Sequence, residues 1–149
     1  MRARIPSARL WLVGADPPPQ VRALESDTVT VTGRVPDMRP YLARAAVFVC
    51  PLRLGAGIKN KVLEALAMGC PLVATPLSVD GIAVRDGREA LVADGDAIIE
   101  AAARLLADSA LRDALSHSGR ALIEAEYDWA QVATRYTALY ELALREGSS

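Results

Sequence analysis

The chain has 149 residues, with 17 lysines and arginines against 18 aspartates and glutamates, one histidine, and 52% apolar residues. That length makes a single domain large enough for its own core. A formal charge of −1 gives no electrostatic footprint for nucleic acid or an anionic membrane, and no segment reaches the ~20 consecutive apolar residues of a membrane helix.

Residues 1–6 are basic, but no apolar run with a cleavage site follows, so no secretory signal is read. Residues 8–13 alternate and then run apolar into a Pro-rich loop, which predicts a strand and a stiff connection. A short helix is expected over 20–26, and the β-branched stretch 29–32, stopping at Gly33, predicts a second strand. Residues 37–45 fit a helix with Asp37 as N-cap. The wholly apolar run 46–50 fits a strand covered on both faces. A helix over 58–68 ends at Gly69, strands follow over 71–74 and 89–93, and helices are expected over 97–107, 109–124 and 128–145. Strands alternating with helices, then a helical tail, give the α/β class with a parallel sheet.

The two cysteines are not expected to pair. Cys50 ends one strand and Cys70 precedes the next, at the opposite edge of the sheet. A strand of about five residues separates those edges by roughly 16 Å, far beyond the ~7 Å Cα limit for a disulfide. Both read as small buried fillers in a reducing compartment.

Chemistry concentrates in the helix over 58–68 and the loop before it. At 100° per residue, Ile58, Val62, Ala65 and Leu66 gather on the side expected to face the sheet. Glu64 points the opposite way, flanked by Asn60 and Lys61, with Gly57 in line below. Lys59 lands on the other flank and is the weaker candidate. Measured from Ile58, Glu64 stands about 9 Å up the helix. A diphosphate held at the helix start by free backbone N–H groups leaves its ribose about one turn along, where a carboxylate can accept from both hydroxyls. Gly55 and Gly57 let the backbone approach phosphates closely, and Lys61 adds a compact charge. The helix end itself contributes about 0.3–1 kcal/mol at an exposed site. The same residues also fit a plainer description, in which two glycines make a turn and Lys61 with Glu64 form an ordinary surface pair of ~0.2–0.5 kcal/mol.

In chain order, Leu12-Val-Gly14, Val31-Thr-Gly-Arg-Val-Pro-Asp37, Ala46-Val-Phe-Val-Cys-Pro-Leu52, Lys61-Val-Leu-Glu-Ala65, Pro71-Leu-Val-Ala-Thr75 and Tyr127-Asp-Trp129 form a specific set. As a set they resemble the nucleotide-sugar donor-binding half of the group 1, GT-B-fold retaining glycosyltransferases, in the branch common among exopolysaccharide-type sugar transferases. The resemblance covers nearly the whole chain. It implies a Rossmann-like open parallel sheet flanked by helices, one half of a GT-B fold, as a single donor-binding domain over 1–149. By the same resemblance, Glu64 grips the donor ribose, and Gly55 and Gly57 lie beneath the diphosphate. Arg34 and Val35 border the base, and Thr75 with residues 79–82 lies near the donor pocket. The substrate is then a nucleotide-diphosphate sugar; no cofactor and no metal are expected.

Two departures from the family pattern stand out. Many members carry a second glutamate eight residues before the ribose-binding one, where this chain has Ala56. The acceptor-binding domain and the first, central strand of the donor domain, with its phosphate-binding Arg and Lys, are also missing. Removing a central strand leaves a gap between neighbours ordinarily ~4.8 Å apart. The chain is expected either to dimerise or swap to cover that edge, or to re-pair locally at its N-terminus; the missing acceptor-binding domain or a second chain is the expected partner. Among other residues, His117 reads as an exposed helical position, Trp129 as an anchor of the last helix with Asp128 as N-cap, and Arg53 as a loop charge or a phosphate contact. The parent protein is expected to be a cytoplasmic transferase of polysaccharide biosynthesis. It would move a sugar to an acceptor hydroxyl with retention, this chain alone not turning over. The alternative is a non-catalytic nucleotide-sugar-binding or pairing module.

Overall fold

Every ladder pairing in the computed structural model is parallel, as the alternation of strands and helices predicts. The structure describes residues 5–146. They fall into two compact units, Met1–Ala45 and Ala46–Ser149. The ladders form two separate sheets where the sequence predicts one open sheet. Parallel pairing is non-local, so strand existence is readable from composition but strand neighbours are not.

In the first unit β1 (Leu10–Val13) pairs with β2 (Val29–Gly33), and the register shifts between Leu12 and Val13. The helix expected over 20–26 is the shorter α1 (Pro19–Arg22), because the chain turns back at once. Ser26 and Val29 exchange N–H···O bonds of 3.0 and 3.1 Å across that turn. Pro40 shortens the second helix to α2 (Arg39–Arg44). The N-cap is Met38, without a side-chain cap hydrogen bond, which corrects the expected Asp37; that carboxylate instead accepts from the Arg39 N–H at 2.9 Å and pairs with the Arg39 guanidinium. The Trp11 and Tyr41 rings stack at a tilt, 5.9 Å apart.

In the second unit the strand order is β3 (Phe48–Cys50), β4 (Leu72–Ala74), β5 (Leu91–Val92). β4 is buried throughout and its side chains alternate between two cores. Leu72 and Ala74 join Cys50, Val62 and Leu66, the last two from α3 (Asn60–Ala67). Val73 joins Leu91, Ala102, Leu105 and Leu115, drawn partly from α5 (Ala97–Ala107) and α6 (Ser109–Glu126). The bounds of α5 match the expectation, and the Asp108 carboxylate starts α6 by accepting from the Leu111 N–H at 2.9 Å. Gly69, at φ 65°, closes α3, its N–H donating to the Leu66 carbonyl at 2.9 Å.

A four-residue helix, α4 (Pro76–Val79), lies where only a loop is expected. Its signal is present in the sequence as an N-cap threonine, Thr75, followed by a proline at the first helical position. The last helix, α7 (Trp129–Glu146), starts under the Asp128 carboxylate, which accepts from the Ala130 N–H at 2.9 Å. The anchoring role expected of Trp129 is corrected, since its side chain is 85% exposed. Tyr127 does that work instead, packing on the first core while its hydroxyl accepts from the Ala83 N–H at 2.9 Å. Neither cysteine is in a disulfide, and burial pushes the Cys70 thiol up to about 11. Among the described residues no helix is long and apolar enough to cross a membrane.

Candidate active site at the carboxyl end of the sheet

The segment between β3 and α3 is held open by its glycines. Gly55 and Gly57 sit at φ 138° and 70°, values that side chains oppose, and so the helix begins later than periodicity suggests. Lys59, at φ −95° and ψ 96°, is the N-cap, and Asn60 is the first helical residue. Ile58 is therefore outside the helix and 51% exposed, which corrects its expected place on the sheet-facing side. Val62, Ala65 and Leu66 are buried there as expected.

Lysine cannot cap a helix, so its presence at this position is an anomaly. No side-chain hydrogen bond caps α3, and among the described residues no acceptor reaches the N–H groups of Asn60 or Lys61. The Lys59 side chain folds back into the glycine loop. It is only 8% exposed, its ammonium donates to the Gly57 carbonyl, and among the described residues no carboxylate pairs with it. A Cβ on Gly55 would lie 3.6 Å from the Lys59 Cε. A helical wheel does not apply to a residue ahead of the helix, so the flank position expected of Lys59 is corrected.

Lys61 and Glu64 are exposed on α3. They form no ion pair with each other, and among the described residues no hydrogen bond engages the Glu64 carboxylate. Counted from Asn60, Glu64 is one turn up, about 6 Å and not 9 Å.

Thr75 and Ser78 build the neighbouring wall. The Thr75 hydroxyl donates to the Leu52 carbonyl at 2.8 Å and accepts from the Ser78 N–H at 3.2 Å. The buried Ser78 hydroxyl donates to the Cys50 carbonyl at 2.6 Å and accepts from the Leu52 N–H at 3.3 Å. These bonds tie the exits of β3 and β4 together. Ser78 escaped the sequence reading; its signal was its place three residues after an N-cap threonine. Residues 52–53, 75–77 and 94–95 line a pocket of about 560 Å³ outside the carboxyl ends of β3, β4 and β5. Ligands of open parallel sheets bind at that edge. Thr75 lines this pocket; Gly55, Gly57, Lys61 and Glu64 do not.

Arg34 and Val35 belong to the first unit, just after β2. Arg34 is exposed and its guanidinium lies 3.5 Å from the Asp16 carboxylate. His117 is exposed on α6. Among the described residues no group of three or more His, Cys, Asp or Glu side chains is arranged to hold a metal ion.

Known proteins resemble this chain along most of its length. The lipopolysaccharide core biosynthesis glycosyltransferase LpsE of Rhizobium meliloti is 31% identical over 92% of this chain and 43% of its own. The GDP-mannose-dependent alpha-(1-6)-phosphatidylinositol monomannoside mannosyltransferase of Mycobacterium tuberculosis is 32% identical over 91% of this chain and 40% of its own. The chain thus spans about two-fifths of the length of these curated relatives. Among solved structures, the sucrose-phosphate synthase of Thermosynechococcus elongatus superposes with a TM-score of 0.79 at 27% identity, over 97% of this chain and 40% of that one. The C-terminal domain of a group 1 family glycosyl transferase, LpcC, from Francisella tularensis shares the fold, with a TM-score of 0.62 at 23% identity over 70% of this chain and 56% of that one. The family model described as glycosyl transferases group 1 matches residues 1–108, and the chain belongs to that family.

Proposed function

We propose that the chain is the donor-binding domain, over residues 1–149, of an enzyme that transfers a sugar from a nucleotide-diphosphate sugar to an acceptor hydroxyl with retention. The observation that carries this reading is Lys59, a largely buried lysine whose ammonium has no counter-ion among the described residues, at the uncapped start of α3. A buried cation is costly unless balanced, and a diphosphate at this position balances it. Charge developing on the departing diphosphate would be met by Lys59, the Asn60 and Lys61 N–H groups and the helix end, all arranged before reaction. Glu64, one turn on, would accept from the ribose hydroxyls. Gly55 and Gly57 admit the phosphates, and Thr75 shapes the neighbouring wall.

The acceptor side of the reaction would come from the length that the relatives have beyond this chain, so no turnover is expected from the chain alone. The parent would act in the cytoplasm, and in glycan assembly, the role carried in the name of the Rhizobium relative. Ala56, where many members have a glutamate, favours a second reading as a nucleotide-sugar-binding module without turnover.

Thermal unfolding with UDP, GDP and inorganic phosphate tests the site. A nucleoside diphosphate should raise Tm by more than phosphate does, since only the native state binds it. Lys59→Gln should abolish the gain. Glu64→Ala should weaken binding about tenfold or more, the worth of a charge-assisted hydrogen bond of ~1.5–3 kcal/mol. A 2′-deoxynucleotide should show part of that loss in the native chain and none in Glu64→Ala. Absence of any shift with either nucleotide would overturn the reading.

Among the described residues the outer edges of β1 and β3 carry no ladder partner, which also supports pairing with another chain. Sedimentation velocity should show a homodimer that dissociates on dilution; a monomer at every concentration would count against it.

A further inference from the structure

Nearly all of α7 stands in solvent, and among its described side chains only Val132 is part-buried. At 100° per residue, Trp129, Ala133, Tyr136, Tyr140, Ala143 and Leu144 gather on one side of the helix. Trp129 is 85%, Tyr136 60% and Tyr140 68% exposed, and Leu139 and Leu144 are exposed beside them. Helices in proteins draw most of their stability from packing such a face. Apolar surface gathered in this way marks an interaction site, and Trp and Tyr are the residues that dominate interface energetics.

A lipid surface is a poor match. Helices that lie in a bilayer surface carry a polar side rich in lysine and arginine. The polar side of α7 has Arg135, which is paired with Glu126 on α6, and Arg145, set against Glu141.

A second copy of the chain matches in pattern and in area. Residues 129, 133, 136, 140 and 143 are spaced alternately by four and three, the seam along which two helices pack. Reversed about Ala138, that seam maps onto itself, Tyr136 onto Tyr140, Ala133 onto Ala143 and Val132 onto Leu144. A two-fold interface has to be self-complementary in this sense. In an antiparallel pair, Tyr136 of each helix faces Tyr140 of the other, and the alanines beyond them let the backbones approach. The three rings offer about 300–500 Å², at roughly 150–250 Å² for a whole aromatic side chain. With Leu139 and Leu144 the face reaches the lower end of the ~600–1,000 Å² per partner that standard interfaces bury.

We propose that α7 packs antiparallel on α7 of a second copy, with the Tyr136–Tyr140 contacts at the centre of the dimer interface. The contact needs no nucleotide, so failure of the donor-site reading leaves it untouched.

Sedimentation velocity of the whole chain over a concentration series reads the pairing. The native chain should form a dimer that dissociates on dilution. Tyr136→Glu and Tyr140→Lys should each weaken dimerisation about thirtyfold or more, the loss expected at an interface hot spot. Mixed in equal amounts, the two variants should dimerise again, because the antiparallel register sets the new carboxylate of one against the new ammonium of the other. A mixture that stays monomeric, as a parallel pairing would leave it, overturns the proposal. Single variants that remain dimeric would move the contact to the strand edges and overturn it too. A native chain that is monomeric throughout does the same, and its flotation with vesicles of phosphatidylcholine and phosphatidylglycerol would then give the face to a membrane.

Discussion

Gly119→Ala is expected to destabilise the chain by about 1–3 kcal/mol, the cost of overpacking a filled core. The sign is opposite to that for an exposed helical glycine, where alanine gains about 0.8–1 kcal/mol from helix propensity. Gly119 is buried on α6 against α3, and a Cβ there would stand 2.7 Å from the Leu66 Cδ2 and 3.2 Å from the Glu89 carbonyl oxygen. Leu66 is itself fully buried and has no space to retreat into. Leu66→Ala alone should cost about 2.7–5 kcal/mol. It also removes the obstructing methyl, so in that background Gly119→Ala should become neutral or stabilising by up to about 1 kcal/mol. Urea unfolding of the four proteins measures the coupling. Strictly additive costs would refute the contact as the reason for the glycine.

Glu89→Ala should cost about 1–3 kcal/mol, the penalty of leaving buried partners unsatisfied. The Glu89 side chain is 2% exposed. It accepts from the Arg85 N–H at 2.8 Å and from the Arg85 guanidinium, with the Arg88 Nε at 3.5 Å. Burial pushes its carboxyl up, but the hydrogen bonds and charge of Arg85, helped by Arg88, outweigh that and hold it below the ordinary 4.5. A carboxylate lowered on folding adds stability above its unfolded pKa, and that stability is lost as pH falls through the folded value. The gap between the native chain and Glu89→Gln should therefore be constant above about pH 5 and close as the pH drops below the ordinary carboxylate range. A gap that widens in acid would contradict the assignment.

Local chemistry in the sequence was readable to the residue in places. The ends of α5 follow from periodicity, and Asp128 acts at its helix start as expected because side-chain capping needs only nearest neighbours. The apolar runs at β3 and β4 marked strands, though the ladders cover only three residues in each. Where dihedrals decide, the sequence was ambiguous. Two glycines announce a loop but not its length, so periodicity alone starts α3 at Ile58, whereas the helix begins at Asn60 with Lys59 ahead of it. Long-range partners were least accessible. Nothing in the spacing of Trp129 or Tyr127 says which ring faces the core, and nothing in Glu89 announces that Arg85 and Arg88 fold over it. At the candidate site, the exposed edge of Asn60, Lys61 and Glu64 was legible, whereas the burial of Lys59 and the Thr75–Ser78 wall were not.

The hydroxyls of Thr75 and Ser78 lie 2.7 Å apart and between them bind the main chain of Cys50 and Leu52. One edge of the cleft thus cannot shift without its neighbour shifting too. Guests entering there meet a wall in which two strand exits are joined as one.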